Sequence, residues 1–177
     1  MDYKALKEID ARTLAAIEIE WLEQLEVIDI NPARCLGALS RATKVINGDH
    51  NNQFAYVHVS VSGSFNGIVL MSHALPKSNA PWLKVLELTL APTLVDEQHP
   101  TAISELTKIG SSVIDEVFTL SIDKHKSESV KIYGDSIMDV RMWREAITKL
   151  KDAVGMPYVA TSHGRWLVLE KKEGSGN

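Results

Sequence analysis

One cysteine, six prolines and 6% aromatic residues are all that the 177 residues offer of rigid or reactive side chains. A lone Cys35 excludes an intrachain disulfide framework and a four-cysteine zinc site. Aliphatic runs such as Ile68–Met71 are far too short to cross a bilayer, and Met1-Asp2-Tyr3 opens acidic, without the look of a secretory leader. Excess positive charge is also missing. Lys and Arg number 19 against 23 Asp and Glu, a net −4, which argues against a dedicated nucleic-acid binder. There is no G-x-S-x-G elbow, no Walker loop and no G-x-G-x-x-G. What is there is 45% apolar residues in a chain long enough for one core, expected as a single domain over 1–171 with a flexible tail at 172–177.

The charge is unevenly placed. Residues 1–30 hold three basic and eight acidic side chains, residues 31–100 five and four, and residues 101–177 eleven of each. The whole acidic excess therefore lies in the first thirty residues, and the remainder is interspersed as on an ordinary solvated surface.

Periodicity predicts a helix from Tyr3 to about Ile28, with Leu6, Ile9, Leu14, Ile17, Trp21 and Leu25 at helical spacing. Asn31-Pro32 opens a second helix, which runs to about Ile46 and stops at Asn47-Gly48. Phe54 to Ser62 reads as a strand, Asn66-Gly67 as a tight turn, and Ile68 to Leu75 as its partner. Trp82 to Leu90 gives a third strand, with Leu83, Val85, Glu87 and Thr89 on one face. A helix after Pro100 carries Ile103, Leu106, Ile109 and Val113. Val117 to Ile122 and Val130 to Tyr133 read as a strand pair joined by Asp123-Lys124-His125-Lys126. The clearest helix runs from Ile137 to Val154, with Ser136 and Asp139 as a capping box and Trp143 and Ile147 in its buried stripe. Gly155 and Pro157 end it, and a closing hairpin (Tyr158 to Thr161, Arg165 to Glu170) turns at Ser162-His163-Gly164.

This order resembles the GCN5-related N-acetyltransferase (GNAT) fold: strand, two helices, three antiparallel strands, helix, strand, helix, two last strands. The run from Ala146 to Met156 is similar to that family's last helix entering its final hairpin. The resemblance implies an α+β fold with a mixed, mostly antiparallel sheet flanked by helices, two of them N-terminal. Two departures stand out. The first strand has no room if a helix begins at Tyr3. The family's Gly-rich loop, Q/R-x-x-G-x-G/A, which holds the coenzyme A pyrophosphate on backbone N–H groups, is replaced by Val95 to Ile103. Gln98 fits its first position, but Thr101 and Ile103 stand where small residues belong. Asp96 and Glu97 repel phosphate, Pro100 lacks a donor, and the loop is expected not to bind a pyrophosphate. The same two carboxylates near a helix start also suit the helix dipole, which is a purely structural role.

For an acyltransferase, the resemblance implies acetyl-coenzyme A as cofactor, Gln98 and Thr101 at its loop, Glu87 as general base, and Tyr133 or Tyr158 as general acid. Glu87 on its face could equally reach water or Lys84, and either tyrosine could pack its ring and point its hydroxyl outward. His50, His58, His73, His99, His125 and His163 show no i, i+4 metal spacing, and no metal is expected. Cys35 beside Leu36 and Leu39 reads as a small core residue.

Two functions from different classes follow. One is a non-catalytic interaction or assembly protein on a GNAT-like scaffold with a degenerate cofactor site. It would act through a protein partner or self-association, with the acidic first helix as contact, and without nucleic acid or membrane. GNAT-like domains among internal virion proteins of short-tailed phages make a virion component the implied example, so the expected location is the cytoplasm or the virion. The alternative is a divergent N-acyltransferase.

Overall fold

The structure is a computed structural model and describes residues 5–74, 77, 79–95, 102–134, 137–152 and 158–172. The chain opens with a strand, β1 (Leu6–Glu8), before its first helix, α1 (Ala11–Val27). The expected helix from Tyr3 is therefore shorter by eight residues. The reason is Asp10, in extended backbone, whose carboxylate accepts the Thr13 N–H at 2.7 Å and caps the helix there. That hydrogen bond also holds the exposed Asp10 carboxyl below its ordinary range. The room denied to a first strand thus exists, and Leu6 pairs antiparallel with His58.

After α2 (Ala33–Ile46) come β2 (Gln53–Val59), β3 (Phe65–Ala74) and β4 (Trp82–Leu90), then a one-turn helix, α3 (Pro92–Val95). The Asn66-Gly67 turn is not present. The reversal is at Ser60–Ser64, where Gly63 has φ 96° and donates to Ser60 O. Gly67 sits inside β3 because a Cβ there would lie 3.0 Å from Thr89 O.

Helix α4 (Ala102–Asp123) overturns the expected strand at Val117–Ile122. Ile109, Val113, Ile114, Val117, Phe118 and Ser121 are all buried, a helical stripe that continues through the segment. Because a helix separates β4 from β5 (Ser129–Tyr133), the two strands pair in parallel, from Trp82↔Ser129 to Val85↔Ile132. Helix α5 (Ile137–Asp152) and the hairpin β6 (Tyr158–His163) and β7 (Trp166–Lys171) finish the chain. Trp143 is 3% and Ile147 5% exposed, as their spacing predicts. The Ser136 cap, Gly155, Pro157 and the tail from Glu173 lie outside the described residues.

The seven strands are hydrogen-bonded in the order β1-β2-β3-β4-β5-β7-β6, and β4–β5 is the parallel pair. The element order, first strand included, and the mixed, mostly antiparallel sheet are those the resemblance implies. The fold is GNAT-like, a mixed and mostly antiparallel sheet with helices.

By packing, the chain divides into two compact units, each drawn from two stretches of sequence. The first takes residues 1–71 and 87–105. Ile17, Trp21, Ala38, Val57 and Ile68 form its core, and the Trp21 indole donates to Phe65 O at 3.1 Å. The second takes residues 72–86 and 106–177, with Leu83, Val85, Ile114, Ile132, Trp143 and Leu169 at its centre.

Candidate functional site

The first unit carries Glu87, on the second half of β4. Its carboxylate is fully engaged. Arg41 of α2 donates from Nε to Oε2 at 2.8 Å and from Nη2 to Oε1 at 2.6 Å, and the Thr89 hydroxyl donates to Oε1 at 2.6 Å. The charged partner is thus Arg41 rather than Lys84. Gly37, one helical turn before Arg41, leaves room for the guanidinium, since a Cβ there would sit 3.2 Å from Nη1. The Arg41 side chain is 48% and Glu87 20% exposed, so the pair is worth at most about 1 kcal/mol to stability. Its consequence is positional. Both oxygens of a carboxylate forked on a guanidinium are occupied until that fork opens.

Next to this pair runs an edge of β4 backbone. Thr89 O and the Ala91 N–H face β3, through Gly67 and Asn66. By strand alternation, the peptide groups of Leu88 and Leu90 face the other way. Arg34 Nη2 donates to Leu88 O at 3.3 Å, and the Cys35 thiol approaches Leu90 O at 3.9 Å. Cys35 is 2% exposed and burial raises its pKa, partly opposed by Arg34, so it serves as a protonated donor rather than a nucleophile.

The second unit holds both candidate tyrosines, on opposite faces of the sheet. Tyr158 is 1% exposed and packs on Phe118 with ring centroids 4.3 Å apart. Its hydroxyl does not point outward. It is buried with no hydrogen-bond partner among the described residues, and burial, helped by Asp115, pushes its pKa up to about 12. In this arrangement the hydroxyl proton faces the interior rather than solvent. Tyr133 is half-buried on the other face, 4.9 Å from the Trp166 ring.

That face is what sequence reasoning missed. Lys131 Nζ lies 3.8 Å over the Trp82 ring and Lys84 Nζ 4.9 Å over Trp166, with Tyr133 beside it. The period-2 alternation of Trp82, Lys84 and Leu86 was the available signal, since it places all three on the face opposite Leu83 and Val85. Beside it, Val140, Trp143, Arg144 and Arg165 line a hollow of about 10 Å³, room for about one water.

Gln98, Thr101 and the rest of residues 96–101 lie outside the described residues. No group of three or more His, Cys, Asp or Glu suited to a metal occurs among the described residues. No described helix is long and apolar enough to cross a membrane.

No family model matches the chain, and no curated protein does. Among solved structures it is similar to the Campylobacter jejuni N-acetyltransferase PseH at 9% identity, over 96% of this chain and 97% of that one, with TM-score 0.48. It is also similar to the Vibrio cholerae spermidine N-acetyltransferase solved with CoA and spermine, at 10% identity, 93% and 94% coverage and TM-score 0.48. A third is the aminoglycoside acetyltransferase meta-AAC0020 from an uncultured soil metagenomic sample, at 13% identity, 89% and 93% coverage and TM-score 0.45. The GNAT-like fold of this chain rests on its own element order and its mixed, mostly antiparallel sheet.

Proposed function

We propose that the chain is an N-acyltransferase-type domain that takes an acyl-coenzyme A and an amine. The observation that supports this reading most is the outward-facing β4 backbone at Leu88 and Leu90, past the last β4–β5 pair at Val85↔Ile132. Ligands of sheets with parallel strands gather at the carboxyl ends of those strands, and an arm carrying amides can add to a strand edge through main-chain hydrogen bonds. The residues present suit such a group: the Leu88 and Leu90 N–H groups would donate to carbonyls of the amide arm, their own carbonyls being held by Arg34 and Cys35, and Arg34 would offer a charge for a phosphate. The bound coenzyme would supply an acyl group activated as a thioester. Of the chain's own residues, Glu87 would receive the amine's proton only with Arg41 displaced, so Arg41 would govern when the base is available. Tyr158 has no role in this scheme.

One observation favours the other reading, a non-catalytic interaction domain. The base that the chemistry needs is forked on Arg41 and Thr89. Thermal melting with acetyl-coenzyme A separates the two. A ligand at a hundred times its Kd adds about 2.7 kcal/mol, and Leu88→Pro, which deletes one edge N–H, should reduce that gain. Absence of any shift, together with no thiol release in the presence of simple amines, would remove the support for an acyltransferase.

A further inference from the structure

The sheet ends at β6, and the features of that strand define an interface. The turn that joins β6 to β7 has two residues, Gly164 and Arg165, with φ +60° at Gly164 alone. That is the type II′ pattern, which makes the flanking pair His163↔Trp166 mutually hydrogen-bonded. A second contact fixes the same parity: the Gly134 N–H donates to Arg165 O at 2.9 Å, so the peptide groups of Arg165, Leu167 and Leu169 face β5. Those of Trp166, Val168 and Glu170 then serve β6, through His163, Thr161 and Val159. The peptide groups of Tyr158, Ala160 and Ser162 are left facing outward, and among the described residues nothing pairs with that side.

Natural edge strands are protected by lysine, proline, a bulge or shortness. Within its six residues, Tyr-Val-Ala-Thr-Ser-His, β6 has none of these and no Lys, Arg, Asp or Glu. Val159 is 48% exposed on it. By contrast β1, the other outer strand, is three residues long and carries Lys7 and Glu8.

We propose that β6 pairs antiparallel with β6 of a second copy of this chain, about a two-fold axis through Ala160. The register follows from parity. Ala160 faces Ala160 of the second copy, and Tyr158 and Ser162 face that copy's Ser162 and Tyr158. These three outward positions exchange up to about six backbone hydrogen bonds. The small Ala160 side chains meet at the axis, and Val159 lies beside Thr161 of the second copy, a favourable β-branched pair. Without Lys, Arg, Asp or Glu, the strand sets no two such charges opposite each other. Arg144, which donates to Ser162 Oγ at 3.2 Å, sits near one end of the pairing, so the two copies of Arg144 are at opposite ends. A self-complementary register of this kind is what an isologous dimer requires.

Sedimentation equilibrium on the full chain tests this, with a dimer at twice 19.6 kDa expected. Ala160→Pro removes an outward N–H that β7 does not use, and Val159→Lys installs the missing edge charge. Each should give a monomer with unchanged circular dichroism. In the wild type, amide protection of Ala160 and Ser162 should rise with chain concentration, while Val159 and Thr161 stay protected throughout. A wild type that remains monomeric at high concentration overturns the proposal, and so does a dimer that survives both substitutions. Should Ala160→Pro not fold, Val159→Lys decides the matter.

Discussion

Acid should weaken the first unit through one imidazole, His58. It lies on β2 opposite Leu6, 6% exposed, and neither ring nitrogen has a hydrogen-bond partner among the described residues. Burial lowers its pKa from 6.5 to about 4. Above pH 6.5 the ring is neutral whether the chain is folded or not, and its titration costs nothing. As pH falls from there toward 4, the unfolded chain takes up a proton that the folded one refuses, so stability drops. One pH step is worth about 1.36 kcal/mol. At pH 5 the loss is about 2 kcal/mol, and it levels near 3 kcal/mol once the folded ring protonates as well. The assay is urea unfolding at about pH 7.5 and pH 5 on the wild type and His58→Leu. The variant should keep about 2 kcal/mol that the wild type loses. At the higher pH it should be at least as stable, since two unpartnered nitrogens leave the interior. Equal losses in both proteins between the two pH values would refute this account of His58.

Trp143→Ala, at a position 3% exposed, should cost about 3–5 kcal/mol. At about 2–4 °C per kcal/mol the melting point should fall by about 6–20 °C; a change of a degree or two would mean its face of α5 is not buried. Gly134→Ala would put a Cβ 2.5 Å from Val140 Cγ2 and 3.0 Å from the Val140 backbone nitrogen. Overpacking against backbone should cost about 1–3 kcal/mol by denaturant titration. Tyr158→Phe removes a buried hydroxyl without a partner and should be neutral or stabilising by about 1 kcal/mol. Any acetyl transfer should persist in that variant, and its loss would restore Tyr158 as the acid.

The parts of the fold that read correctly from sequence are those where one period dominates. The stripe through Trp143 and Ile147, and the alternation of Leu83 and Val85 in β4, each fit a single geometry. The misreadings come from segments that satisfy two. Leu6 and Ile9 continue the spacing of Leu14 and Ile17 across the Asp10 cap, so a three-residue strand vanished into a helix. Val117–Ile122 alternates like a strand, yet completes the stripe of Ile109 and Val113. Asn66-Gly67 carries a turn dipeptide, although Gly67 is needed for the approach of Thr89 O. Site contacts were illegible for another reason. Arg41 and Glu87 are 46 residues apart, and no local pattern encodes such a meeting.

The parallel pairing of β4 with β5 also orders events in time. Trp82 meets Ser129 only after α4 has formed and carried the chain back, a closure far longer than the two-residue turn that brings His163 to Trp166. Closing the long loop has to precede any contact that rewards it, whereas a hairpin forms in about 1–10 μs. The β6–β7 ribbon, with its unguarded outer strand, is therefore expected to form transiently before β5 has found β4. At that stage of refolding, chains at high concentration meet edge to edge before either has closed its sheet, and yield should fall as concentration rises.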